Sequence, residues 1–226
     1  MSTFKDFFQF LKTPSFENQL EINSFSYFYR LVWSSFLIIL LIDTLVYLAI
    51  TYPLKHFNLF PTPIEIYFSY YTIIKLSLVF PLLEELIFRL PLIMTKRNLS
   101  ITASLILFVL IYRFGIYVSV LLSGGLFIFL FFTFGKISSF NYKIGIFSKR
   151  YFIIILYSQA LIFGFLHLNN YTLDLHHFYL FPFFIVSHII IGLFFGYLRV
   201  RYSLGIYICI VVHIILNGLN CLILIK

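Results

Sequence analysis

The sequence predicts an all-α fold, a multi-pass transmembrane helical bundle of about seven spans with an N-terminal amphipathic helix. Three observations carry this reading. Of the 226 residues, 62% are hydrophobic and 11% are charged, whereas a soluble domain keeps roughly 25% charged to hold its surface in water. Apolar runs of the length that crosses a bilayer, about 20 residues, recur along the chain and leave no polar block for a separate soluble domain. Lys and Arg gather on alternate sides of those runs, as the positive-inside rule requires of real spans.

In the segment 1–29, Phe4, Phe7, Phe8 and Leu11 recur at i, i+3, i+4 and i+7 among Lys5, Asp6 and Lys12. That pattern predicts a cytoplasmic amphipathic helix lying on the membrane surface. Residues 30–226 then form one membrane-embedded domain. Polar and turn-forming interruptions divide it into apolar segments at 30–52, 65–95, 99–113, 115–135, 151–169, 178–198 and 204–225. Pro81 removes a backbone donor inside the second segment and predicts a kink or break just before Glu84 and Glu85. With the N-terminus inside, Lys5, Lys12, Arg30, Lys96, Arg97, Lys136, Lys143, Lys149, Arg150, Arg199 and Arg201 fall on the inner side. Only Lys55, Arg113 and Lys226 fall outside, and Lys75 and Arg89 stay within the membrane. The stretch 136–150 is expected to be a mobile cytoplasmic loop. No hydrophobic leader with a cleavage site precedes Arg30, so the first span is read as an uncleaved anchor.

The net charge of +8 is dispersed among short inter-helix segments and makes no basic stripe with exposed aromatics, which argues against nucleic acid. Phe and Tyr, at 31 and 17 residues, suit lipid-facing surfaces and interfacial belts. Cys209 and Cys221 lie on one helix, separated by about 18 Å of rise, too far to pair.

An ionisable side chain at bilayer depth costs on the order of 2.5–3.5 kcal/mol and is a functional candidate by default. Asp43 and Lys75 stand alone on their segments, and structural roles fit them: pairing with each other, snorkelling or facing a wet cleft. His188 has only Phe184, Ile185, Ile191 and Gly192 at i±3 and i±4, so it is expected to make an interhelical hydrogen bond. His56, His176 and His177, the last two near Asp174, read as solvated interface residues.

The remaining groups form a set. Glu85 and Arg89 stand at i and i+4 with the acid first, the spacing of an ion pair on one helix face. Glu84 is turned about 100° away, so it meets a partner from another helix or stays protonated. His167 ends the fifth segment, and His213 and Asn217 stand at i and i+4 in the last. Glu84, His167, His213 and Asn217 on otherwise apolar helices are expected to surround a pocket of water, which a carboxylate and imidazoles can activate for hydrolysis.

Read in order, Glu84-Glu85-x-x-x-Arg89, Phe163-x-x-x-His167 and His213-x-x-x-Asn217 resemble the three motifs of the CPBP family. These are the CAAX proteases and bacteriocin-processing (Abi) enzymes, including CAAX prenyl protease 2-like proteins. The likeness covers about 65–220, and the ordered trio is far more specific than any one motif. It implies an intramembrane endopeptidase, either glutamic or metallo. Glu84 would activate water with His167 helping to hold it, His213 and Asn217 would stabilise the oxyanion, and Glu85 and Arg89 would support the Glu84 helix. The resemblance leaves zinc open; Glu84, His167 and His213 would be its ligands, and a glutamate can also work without metal. It implies a membrane-associated peptide or lipid-anchored protein as substrate and a bacterial inner membrane as the setting. It leaves the oligomeric state undefined. This chain departs from the family in Leu90-Pro91, where glycine often follows the motif arginine, and in two extra apolar segments between the first and second motifs. An even number preserves helix direction. A proton-coupled secondary transporter is the chief rival reading, and a non-catalytic membrane immunity or scaffold protein is another.

Overall fold

The structure, a computed structural model, describes residues 3–14, 19–64, 69–136, 140–172 and 179–224. Asp174, His176 and His177 lie outside the described residues. Eight helices follow one another: α1 (Thr3–Lys12), α2 (Phe25–His56), α3 (70–88), α4 (Lys96–Ile111), α5 (Ile116–Lys136), α6 (Phe140–Leu166), α7 (Phe181–Arg201) and α8 (Gly205–Leu224). Among the described residues, 6 helical stretches are long and apolar enough to cross a membrane. They belong to α2 and to α4 through α8. Helix α3 is as long as several of them but carries Lys75, Glu84 and Glu85, so its polarity, not its length, sets it apart. The protein is an all-α, multi-pass membrane protein.

Both prolines inside long helices are absorbed without a break; of the kink or break expected at Pro81, the helix shows no break but a local π-helical distortion. A π-helical turn, Lys75–Val79, precedes Pro81, and Phe80 donates its N–H to the carbonyl of Lys75. A second π turn, Tyr47–Thr51, does the same before Pro53. The wider turn takes up the clash between the proline ring and the carbonyl four residues back, and the helix continues. Glu84 and Glu85 therefore sit on regular helix directly after the correction.

Helix α6 starts at Phe140, well before the apolar segment, so most of the stretch expected to be a mobile loop is helical; 137–139 lie outside the described residues. Its 27 residues span about 40 Å, longer than a hydrocarbon core of about 30 Å.

The core lies among α1, α2, α6, α7 and α8, where Ile39, Phe194, Phe195, Tyr197, Leu198, Ile208 and Val212 are buried. Helix α1 joins this core. Phe7 is 1% exposed and meets Phe194 edge-on at 5.0 Å and Tyr197 at 5.6 Å. Asp6 accepts from Tyr197 Oη at 2.7 Å and from Arg201 Nε at 2.9 Å. Phe7 of the apolar face of α1 is thus turned onto protein, because α7 offers both an aromatic socket and a cation for Asp6, while Phe8 remains 49% exposed. The strand-like residues after α1 are strapped to the α7–α8 turn: Leu20 donates to Arg201 O, and Ser203 donates to Leu20 O.

Helices α6 and α7 cross closely through small residues. A Cβ on Gly192 would lie 3.3 Å from the Cα of Ala160, and one on Gly164 would lie 2.6 Å from Ile189 Cγ1. Gly192-x-x-x-Gly196 is the close-approach pattern of membrane helices, and it fixes the end of α6 against α7. Helix α5, by contrast, packs along α4 and is otherwise almost wholly exposed, as a lipid-facing helix is.

Candidate active site

Three helices bring the motif residues together. On α3, successive residues differ by about 100°, so Glu85 points into the protein at 0% exposure while the Glu84 side chain remains 30% exposed. Helix α8 places His213 between them. Its Nδ1 donates to Glu85 Oε1 at 2.9 Å, and its Nε2 stands 3.6 Å from Glu84 Oε2. An ionised carboxylate only accepts, so the Glu85 contact puts a proton on Nδ1 and leaves Nε2 as the nitrogen aimed at Glu84. The partner from another helix expected for Glu84 is His213.

Glu85 also serves Arg89. Its Oε2 lies 3.6 Å from Arg89 Nε, and the two side chains are 0% and 1% exposed. Among the described residues, neither Glu85 Oε2 nor Arg89 Nε and Nη2 has a hydrogen-bond partner; charge attraction and ring contacts surround the guanidinium. It sits over Phe163 at 4.6 Å, over Phe88 at 5.8 Å and over Phe195 at 5.9 Å. Each such contact is worth about 2 kcal/mol when desolvated. Glu85 is therefore shared between Arg89 and His213, a fuller role than the ion pair suggested by spacing.

Phe163, the first residue of the second motif, joins the two halves of the site. Its ring, 2% exposed, contacts His167 at 4.6 Å, His213 at 6.2 Å and Phe88 at 5.7 Å. His167 stands where α6 tightens into a 3₁₀ turn, His167–Asn170, and its Nδ1 donates to the carbonyl of Phe163 at 2.8 Å. His167 also stacks on His188, with centroids 4.0 Å apart and planes 27° from parallel. His188 thus meets its neighbour helix by a ring stack; the hydrogen-bond contact of its Nδ1 is with Ser187 Oγ at 3.5 Å on its own helix. Asn217, one turn beyond His213, donates Nδ2 to the carbonyl of Leu76 in the α3 π turn at 3.1 Å. That ties α8 to the glutamate helix and leaves the second hydrogen of the amide uncommitted.

Sequence reasoning missed two supports. Arg199, assigned to the inner charges, is 6% exposed and donates Nε to the carbonyl of Arg89 at 3.2 Å, capping the end of α3. Its position in the last turn of α7 hid this role, since basic residues there satisfy the topology rule equally well. His188 was legible only as a lone histidine; the glycine pattern beside it was the available signal that α6 would come within stacking distance. Asp43 and Lys75 make no ion pair with each other among the described residues, and Lys75 Nζ lies over the Phe80 ring at 5.0 Å.

Among the described residues, no three His, Cys, Asp or Glu side chains form a group able to hold a metal ion. Glu84 and His213 face each other, but His167 is turned onto Phe163 and His188. The zinc set left open by resemblance does not fit this arrangement.

Residues 140–219 match the family model described as type II CAAX prenyl endopeptidase Rce1-like. No curated protein matches the chain. No solved structure matches it either. The matched stretch contains Phe163, His167, His213 and Asn217, and agrees with the CPBP resemblance. Glu84, Glu85 and Arg89 lie outside it and reach it through the contacts of His213 and Phe163. The match supports an endopeptidase working within the membrane.

Proposed function

We propose that this chain hydrolyses a peptide bond in a membrane-associated peptide or lipid-anchored protein, with Glu84 as the base that activates water. The observation that carries the proposal is the division of labour around His213: buried Glu85 fixes one ring nitrogen, and the more accessible Glu84 stands before the other. Water between Glu84 and the scissile carbonyl gives a proton to Glu84 as its oxygen attacks the carbonyl carbon. His167 Nε2, opposite the nitrogen engaged by Phe163, accepts a hydrogen bond from that water. The tetrahedral oxyanion then receives hydrogen bonds from His213 Nε2 and from the uncommitted Asn217 N–H. This role uses the imidazolium form of His213, with Glu85 as its counter-charge. Glu84 finally passes the proton to the leaving amine, and the C–N bond breaks.

The setting that suits this chemistry is a bacterial inner membrane with the N-terminus in the cytoplasm, supported by the distribution of Lys and Arg. The test is cleavage of a membrane-peptide library by detergent-purified protein beside Glu84→Gln, His167→Ala and His213→Ala, with metal analysis of each preparation. Loss of cleavage in all three variants is expected. Unimpaired cleavage by Glu84→Gln ends the water-activation reading, and proton-coupled uptake into proteoliposomes that is lost in the same variants replaces it with transport.

A further inference from the structure

We infer that His188 is a positioning residue of the hydrolytic site, acting by stacking on His167 to hold the ring that orients the attacking water. The inference rests on the protease reading above and adds a residue to it. Three observations carry it. His167 lies where regular α-helix gives way to a 3₁₀ turn, so its backbone holds the ring less firmly than mid-helix would. Its Nδ1 is satisfied by the Phe163 carbonyl of its own helix, which fixes one edge and leaves rotation of the ring to be limited by what packs on it. His188 lies nearly flat against it, with centroids 4.0 Å apart and planes 27° from parallel, and Phe163 lies tilted beside it at 4.6 Å.

The position of His188 is itself built. It precedes Gly192 by one turn, and α7 approaches α6 so closely there that a Cβ on Gly192 would press on Ala160. Ile189, beside His188, fills the place a Cβ on Gly164 would take. The stack is therefore a product of the α6–α7 crossing. A misplacement of about 1 Å in a reacting constellation costs on the order of a hundredfold in rate, so a ring that merely fixes its neighbour has a kinetic effect.

Three substitutions separate the properties of the residue. His188→Phe keeps a ring without polar edges, His188→Gln keeps polarity without a ring, and His188→Leu keeps neither. Stacking predicts that Phe retains kcat within about threefold, whereas Gln and Leu lose about ten- to a hundredfold, KM remaining near wild type. Thermal unfolding of each variant identifies any loss that comes from failure to fold. Carbethoxylation of His167 by diethyl pyrocarbonate, read by mass spectrometry, should accelerate in Gln and Leu and match wild type in Phe. This readout needs no turnover, so it tests the stack even if Glu84→Gln cleaves normally and the protease reading fails. Wild-type kcat in His188→Leu, loss in Phe with retention in Gln, or unchanged His167 labelling in Gln and Leu each overturns the inference.

Discussion

Replacing Glu85 by Gln is expected to unfold the protein far more readily than the same change at Glu84. Glu85 Oε2 lies 3.6 Å from Arg89 Nε, with both side chains essentially unexposed. At an effective dielectric of about 20, unit charges at that separation attract by about 4–5 kcal/mol. Breaking a buried pair by removing one partner costs about 3–5 kcal/mol, because the remaining charge is left uncompensated. Gln still offers a carbonyl to His213 Nδ1, so the loss is chiefly that of the counter-charge to Arg89. Glu84, with its side chain 30% exposed although its Oε2 is buried, has no buried guanidinium to leave uncompensated, so its replacement should cost less than that of Glu85. Thermal unfolding in detergent, followed by a thiol-reactive fluorophore on buried Cys209 and Cys221, reads both. At about 2–4 °C per kcal/mol for a chain of this size, Glu85→Gln should lower Tm by roughly 6–20 °C. The double variant Glu85→Gln/Arg89→Leu should recover most of that loss, since no buried charge is then left uncompensated and the Gln carbonyl still accepts from His213 Nδ1. A Glu85→Gln protein that melts with wild type, or a Glu84→Gln protein that melts lower than Glu85→Gln, refutes the assignment of Glu85 as the buried structural anion.

Other outcomes follow from the same contacts. Gly192→Leu should force α7 away from Ala160 on α6, lowering stability by about 1–3 kcal/mol and increasing carbethoxylation of His167. Phe7→Ala empties the socket between Phe194 and Tyr197 and should cost about 3–5 kcal/mol; limited proteolysis should then cut within the first 14 residues sooner than in wild type. Asn217→Ala loses both the bond to Leu76 O and the proposed oxyanion donor. It should cost about 1 kcal/mol in unfolding but reduce kcat by about a hundred- to a thousandfold; equal small losses in both would remove Asn217 from the reaction.

The spans were legible because each is an uninterrupted apolar run whose ends are polar, and the observed helices fall close to the segments cut from sequence. Two boundaries were not. Helix α6 begins in polar residues, where hydropathy carries no signal but helical hydrogen bonding continues. The π turn that accommodates Pro81 depends on carbonyl geometry that composition does not encode. The periodicity of α1 correctly marked an apolar face, yet periodicity is silent on whether lipid or protein covers it. Tyr197 and Arg201, nearly two hundred residues away, anchor α1 through Asp6 and bring Phe7 onto protein, while Phe8 stays exposed.

The sequence by itself determined that the chain lives in a membrane and which ionisable groups are anomalous there, because lipid penalises each such group wherever it stands. It also placed Glu85 and Arg89 on one face and His213 and Asn217 on another, since helical spacing is a local property. Only the tertiary structure decided that His213 stands between two glutamates, that Phe163 touches both histidines, and that His188 lies against His167. Those relations depend on how α3, α6, α7 and α8 pack: Gly164 and Gly192 set the α6–α7 approach and Asn217 ties α8 to α3, contacts between residues far apart in the chain.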